Sequence, residues 1–416
     1  MMRVISSCII LSLTASFLQT KYLVSHDLVQ LVPIGPSRIS STGTANAAAR
    51  HDDMRRPSTL LTVPFYVYEE LVWHNLTYGA QTLEMQLAKA PLKQSEDFWF
   101  MKASLLHPLR TRNPQQAKLF VVPTLMNFVS DGIALALQDP LFKTCYNGLC
   151  NEQLLRHTEA FLSNSTYYQR SKGSDHIMVL SNWYSSQRPD LFQGSHILSN
   201  LNLIHFEDQK INNPHRSSFP STYVGIPCNV SDTKTTDFAF VGSLWEDAPK
   251  KKRKRFQTRR NVCQWLLRSP YKTSTHVCGS GVEQCPVLAQ AKYGFHIRGD
   301  TYGANRLLDT LLSGTVPIFT DWNEQHSILP DWIDWELLSV RVNVTNMHHF
   351  LKGLRNILGQ TDYETKRQHL LDNRDLLDWR TGIAFDVYMF MFQRELLPNT
   401  VPRRINNPYS FSALTI

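Results

Sequence analysis

A chain of 416 residues is too long for one ordinary core, so a leader followed by two domains of usual size fits it better than a single domain. Its 42% hydrophobic and 19% charged residues exclude a disordered chain and a multi-spanning membrane protein. The formal net charge of +8 is local, because much of the basic excess lies in the run Lys250 to Arg255, followed by Arg259 and Arg260. Such a run suits a solvated loop, an acidic polysaccharide or a nucleic acid, and charge alone does not rank them.

At the amino end, Arg3 precedes an uncharged, mostly apolar stretch from Val4 to Leu18, with Lys21 shortly after. This is the pattern of a secretory leader. As a helix it covers about 22 Å against a hydrocarbon core of about 30 Å, so both a cleaved signal and a signal-anchor fit residues 1–24. The small-residue pattern Ala45-Asn46-Ala47 lies far beyond the apolar stretch, which favours an anchor with Arg3 on the cytosolic side. Residues 25–60, rich in Ser, Thr, Ala and Pro, read as a flexible stem.

Outside the leader stand Cys145, Cys150, Cys228, Cys263, Cys278 and Cys285, an even number that an oxidising lumen can pair, with the connectivity left open. No second cysteine pair at zinc spacing accompanies Cys145 and Cys150, so no metal is expected. Four glycosylation acceptors, Asn75, Asn164, Asn229 and Asn343, each precede a Ser or Thr two residues on. Together with the leader they argue against a nuclear role for the basic run. That run also lacks aromatic interleaving or a reader motif, so no nucleic-acid partner is expected.

Strand patterns appear at residues 62–68, 118–123, 176–180 and 202–206, with helical periodicity at 83–87 and 98–106 between the first two. A turn-rich segment, 229–236, precedes a second strand and helix series that opens at 237–242. The expectation is an α/β protein with one domain at 61–235 and a second, with terminal helices, at 236–416. Ligands then gather at the carboxyl ends of the strands. Residues 384–392 are strongly apolar and read as a buried helix, too short to span a membrane.

The most informative segment, residues 291–319, reads as strand, loop, helix, turn and strand. Ala304, Leu307, Leu308, Leu311 and Leu312 form one apolar helical face, and Gly314 stands where a C-terminal cap belongs. The preceding loop holds Arg298, Gly299, Asp300 and Gly303. Arg306 and Asp309, three apart, share a face. A helix N-terminus flanked by guanidinium groups suits a diphosphate, and a carboxylate one turn on suits ribose hydroxyls. The competing reading is a solvent-exposed intrahelical ion pair.

This segment resembles the signature region of the exostosin family of glycosyltransferases, approximately K-x-F-x-L-x-P-x-G, then S-x-R-L-x-E-A, then G-C-I-P-V-I. Arg306-Leu-Leu-Asp309 falls on R-L-x-E, and Gly314-Thr-Val-Pro-Ile318 on G-C-I-P-V. Residues 330–340, 111–123 and the Asp175-His176 pair are similar to further family motifs, so the likeness runs from about Val63 to Val344. It implies a GT-B fold, two Rossmann-like domains facing a cleft, with 61–235 on the acceptor side and 236–416 binding the nucleotide-sugar, and inversion by single displacement without an obligatory metal.

The donor implied is a nucleotide-sugar, expected as a UDP-sugar, and the acceptor a glycan hydroxyl in the Golgi lumen. The body would be tethered to the membrane as a type II protein, with a secreted form as the alternative and oligomerisation left open. By the residue match, Arg306 contacts the diphosphate and Asp309 the ribose, with Arg298, Gly299, Asp300, Gly242 and Ser243 as neighbours, joined by Arg260 or the adjacent Arg259. Arg298 replaces the family's Pro, Ala304 its Ser, and Asp309 its longer Glu. The alternative function is an inactive glycan-binding relative that uses the 250–260 run. For the general base, Asp175 and His176 are the candidates, against the reading of His176 as a core histidine.

Overall fold

The computed structural model describes residues 60–71, 77–78, 81–82, 94–127, 149–181, 194–207, 216–226, 228–244, 256–271, 284–299, 302–322, 329–360 and 362–401. The chain divides into two units, Met1–Asp52 and Asp53–Ile416, and the first lies wholly outside the described residues. So do the leader, the stem to residue 59, the 83–87 helix, Asn75 and the basic run 250–255. Among the described residues, no helix is long and apolar enough to cross a membrane.

Within the second unit stand two parallel sheets. The first takes β1 (Phe65–Val67), β2 (Leu119–Val122), β3 (His176–Leu180), β4 (Asn202–Phe206) and β5 (Ser218–Ser221) in sequence order, with all four pairings parallel. Alternate residues go to opposite faces. Leu119, Val121, Ile177, Val179 and Ile204 enter one core cluster, whereas Phe120, Val122, Met178, Leu180 and Leu203 enter another with helix α2 (Leu149–Asn164). Burial on both faces explains why these strands read as continuous apolar runs rather than alternating ones.

The second sheet pairs β6 (Thr236–Ala239), β7 (Ala291–His296), β8 (Val316–Phe319) and β9 (Val340–Arg341), again all parallel. Its strands and the expected ones agree to within a few residues. Phe238, Tyr293, Phe295, Val316 and Ile318 pack on α8 (Met347–Gly359) through Phe350 and Leu354. Two parallel α/β sheets are the architecture that the GT-B likeness implies.

The turn after α6 (Asn305–Leu312) is built as its sequence suggests. The amide of Gly314 bonds the Leu311 carbonyl at 3.0 Å and that of Thr315 the Thr310 carbonyl at 3.1 Å, the two bonds of a Schellman cap. Gly314 has φ +65°, and a Cβ there would come within 2.9 Å of Val230 Cγ1, so the position needs glycine twice over.

The terminal helix spans both halves of the body. Helix α10 (Ile383–Leu396) is buried along nearly its whole length, and besides Trp332 of the second half it packs against α1 (Glu96–Leu106) and, through Phe385 and Phe392, against Phe65 and Phe219 of the first sheet. Its Asp386 and Gln393 side chains accept hydrogen bonds from the Leu61 and Thr62 amides, and the Tyr388 hydroxyl donates to the Pro220 carbonyl at 2.8 Å. A helix apolar all round has no solvent face, so it must be enclosed by elements from both halves. One continuous core cluster accordingly joins Phe65 and Phe100 to Leu308, Phe319, Trp332 and Phe390.

Cys228 is disulfide-bonded to Cys285, closing a separation of 57 residues between the segment that enters the second sheet and helix α5 (Gln284–Gln290). Cys263 is also disulfide-bonded.

Candidate functional site

A small cleft, with a cavity volume of about 20 Å³, lies where the carboxyl ends of the first sheet's strands meet the start of α6. Ser181 follows β3, Glu207 follows β4, and Ser221, Thr222 and Tyr223 end or follow β5. Gly303, Ala304, Leu307 and Leu308 line the opposite wall, with Glu96, Phe206 and Leu329 completing the lining. This is where open parallel sheets place ligands, because loops and helix N-termini converge there.

Next to this wall, at the carboxyl end of β7, lies a cluster of arginines. Arg306, in the first turn of α6, is only 7% exposed, and its Nε and Nη1 atoms have no hydrogen-bond partner. Its guanidinium lies over the Phe240 ring at 5.5 Å. Gly242 leaves it room, since a Cβ there would stand 2.7 Å from Nη2. Burial lowers the Arg306 pKa to about 10, with Asp309 opposing, so the group stays cationic at neutral pH.

Arg259 ties this cluster together. Its Nε donates to the Arg298 carbonyl at 2.9 Å, Nη1 to Ser243 O at 3.1 Å and Nη2 to Ile297 O at 3.2 Å. Gly299 must be small here, because a Cβ would come within 2.7 Å of Arg259 Nη2. Gly242, Ser243, Arg298, Gly299 and Arg306 are thus brought together, as the sequence suggests. Arg298 lays its guanidinium 4.1 Å above the Tyr302 ring, and its Nε is buried without a partner. Asp300 lies outside the described residues.

Two of the expected donor residues stand elsewhere. Arg260 points outward, donating to Leu244 O at 3.2 Å and Gln257 Oε1 at 3.0 Å, since its neighbour Arg259 takes the inward face of α4 (Gln257–Leu267). Asp309 is fully buried. Its Oδ1 accepts from the Ile226 amide at 2.7 Å and its Oδ2 from Asn305 Nδ2 at 3.0 Å. Gly225 beside it packs so closely on α6 that a Cβ would meet Leu308 Cβ at 2.7 Å.

The shorter aspartate therefore anchors the connection between the two sheets, a structural duty in place of the expected ribose contact. Asp309→Ala should lower stability by about 1–3 kcal/mol, because two part-buried donors lose a charged acceptor. A thermal midpoint within a degree of wild type would contradict that role.

The Asp175 and His176 pair is also structural. His176 opens β3 at its amino end, about 16 Å along the strand from Ser181 and the cleft. It is fully buried, with Nε2 2.7 Å from the Tyr68 hydroxyl and Nδ1 2.6 Å from Asp175 Oδ1. Its ring stacks on Phe120 at 4.8 Å. Burial pushes the His176 pKa below its usual value despite Asp175. Burial would raise the Asp175 carboxyl, but the hydrogen bond and charge of His176 and the Ser171 hydroxyl outweigh it and hold it low. With His176 fully buried and the pair at the far end of the strand from the cleft, neither reaches an acceptor there.

Three cleft-side residues carry more chemistry than sequence reasoning assigned to them. His296, at the carboxyl end of β7, is fully enclosed beside Arg306 and Arg259. Glu96 is 1% exposed, and its Oε2 accepts from Asn127 Nδ2 at 3.1 Å. Glu207 is partly exposed, sits in left-handed backbone at φ +49°, and accepts the Gly303 amide on Oε1 at 2.7 Å. That conformation costs a non-glycine residue about 1–2 kcal/mol and persists only where surroundings enforce it. The available signal was positional: a carboxylate directly after a buried parallel strand. Among the described residues, no group of three or more His, Cys, Asp or Glu is arranged to hold a metal ion.

Comparison with known proteins places this geometry in context. The Exostosin GT47 domain model matches residues 62–358. No curated protein matches the chain. Solved structures with similarity include a GtfA/B complex, at 12% identity and TM-score 0.31 over 55% of this chain and 48% of the other. The spinosyn rhamnosyltransferase SpnG matches at 10% identity and TM-score 0.34, over 79% of this chain and 100% of the other. The glycotransferase of kitacinnamycin matches at 13% and 0.26, over 67% and 70%. The chain thus spans about half of the first of these. At such scores the fold assignment rests on the sheet topology and the family match.

Proposed function

The chain belongs to the exostosin GT47 family, and from that premise we propose that it is an inverting glycosyltransferase moving a sugar from a nucleotide-sugar, a UDP-sugar first among the donors to test, to a glycan hydroxyl. The observation that carries the donor half of this reading is Arg306: a buried guanidinium with two unpartnered N–H positions, next to a helix N-terminus and a glycine that leaves space beside it. Buried polar groups are nearly always hydrogen-bonded, so an orphaned cation of this kind is made for an anion. A diphosphate leaving group gains charge as the glycosidic bond breaks, and charge-assisted donors stabilise it most at that moment.

Arg298, stacked on Tyr302, is the second donor to the same group. Gly242 and Gly299 let backbone approach, and Arg259 fixes the loops that carry them. Titration of the purified body with UDP and a panel of UDP- and GDP-sugars tests this. Micromolar to millimolar binding of UDP by the wild type is expected, and its absence would remove the donor assignment.

The proposal extends to the Golgi lumen, with a type II membrane tether through residues 1–24. Support comes from Asn164, Asn229 and Asn343, which are exposed as glycan acceptors must be, and from the Cys228–Cys285 bond. Expression in a eukaryotic cell should therefore give a protein whose mass falls on treatment with a glycosidase that removes N-glycans. A mass unchanged by the enzyme would count against passage through the secretory route.

A further inference from the structure

Single displacement requires a base for the acceptor hydroxyl, on the cleft wall facing the donor loop. Among the described residues lining the cleft, the carboxylates are Glu96 and Glu207. Glu96 is sealed at 1% exposure beneath the cleft, bonded to Asn127. Glu207 stands at the carboxyl end of β4, partly exposed, with its carboxylate directed across the cleft to the Gly303 amide. Gly303 lies three residues before Arg306, so the same bond places Glu207 beside the loop that leads into the diphosphate site. A Cβ on Gly303 would come within 2.9 Å of Glu207 Oε1, so the fit leaves no slack. The enforced left-handed backbone of Glu207 aims the side chain there.

We propose that Glu207 is the general base of the transfer, an inference that rests on the glycosyltransferase reading. The acceptor oxygen attacks the anomeric carbon as its proton passes to the Glu207 carboxylate. The bond from that carbon to the nucleoside diphosphate breaks, and its electron pair leaves on the diphosphate oxygen, facing Arg306. The Gly303 amide orients the carboxylate before the acceptor arrives, which is the preorganisation such a base needs.

Glu207→Gln is the deciding variant, because its amide oxygen can still accept the Gly303 N–H while it cannot take a proton. UDP affinity and thermal midpoint should stay at wild-type values, while UDP release from the UDP-sugar panel, with and without a mixture of neutral and acidic oligosaccharides, should fall about 100-fold or more. Turnover by Glu207→Gln within about threefold of wild type, with UDP binding intact, overturns the assignment and leaves Glu207 a loop-positioning residue. Glu207→Ala separates the two roles, since loop positioning predicts loss in Ala and retention in Gln. UDP binding by the wild type with no release from any donor also overturns it, as a competent base supports at least hydrolysis. Failure of the wild type to bind UDP or any UDP-sugar overturns the donor site itself, and this inference with it.

Discussion

Arg306→Met should lose about 100-fold or more in UDP affinity while its unliganded form melts no lower than wild type. The two halves of this result have one cause. A cation that is 7% exposed with Nε and Nη1 unpartnered costs the empty protein several kcal/mol of lost hydration, an order-of-magnitude figure for a buried ion. An unbranched apolar side chain of similar length removes that cost and keeps contact with Phe240. The diphosphate, however, loses two charge-assisted hydrogen bonds, worth about 3 kcal/mol together. Calorimetric titration with UDP and a melting curve without it check both halves. Unchanged UDP affinity, or a sharply lower midpoint, would show that Arg306 serves the fold instead.

Acid should destabilise the protein through His296. Burial first, then the charges of Arg306 and Arg259, push its pKa down to about 3, against a hydrogen bond with the Tyr302 backbone. The unfolded imidazole titrates near 6.5, so between these two values the unfolded state binds a proton that the folded state refuses. Stability therefore falls as pH drops below about 6.5, and the loss from this residue reaches about 3 kcal/mol at pH 4. His176 acts in the same direction, since its pKa is also lowered by burial. His296→Gln should flatten the acid limb of midpoint against pH, leaving the smaller contribution of His176. An acid limb as steep as that of wild type would mean that His296 is protonated within the fold. The link to the proposed donor site is Arg306: after burial, its charge opposes protonation of His296 most.

The strands were legible because both faces of each parallel sheet are covered, which turns 118–123, 176–180 and 202–206 into unbroken apolar runs. Helix α6 was legible because its apolar positions recur at helical spacing and its end carries a glycine suited to a Schellman cap. The disulfide partner of Cys228 was not legible, since spacing does not choose among six cysteines. Nor was the attachment of α10 to the first sheet, because an all-round apolar helix states that it is buried without stating against what.

By itself, the sequence determined the parallel α/β class, the helix that bears Arg306, the arginine and glycine cluster around it and the family likeness. These depend on local periodicity and motif spacing, which neighbouring residues fix. Only the tertiary structure decided what each polar side chain meets. It turned Asp309 from a ribose ligand into the anchor of Ile226, sealed His176 at the far end of its strand, faced Arg259 inward and Arg260 out, and aimed Glu207 at Gly303. The reason is physical: the partner of a buried polar group lies as far as 325 residues away in the chain, and only the packed core brings the two within hydrogen-bond distance.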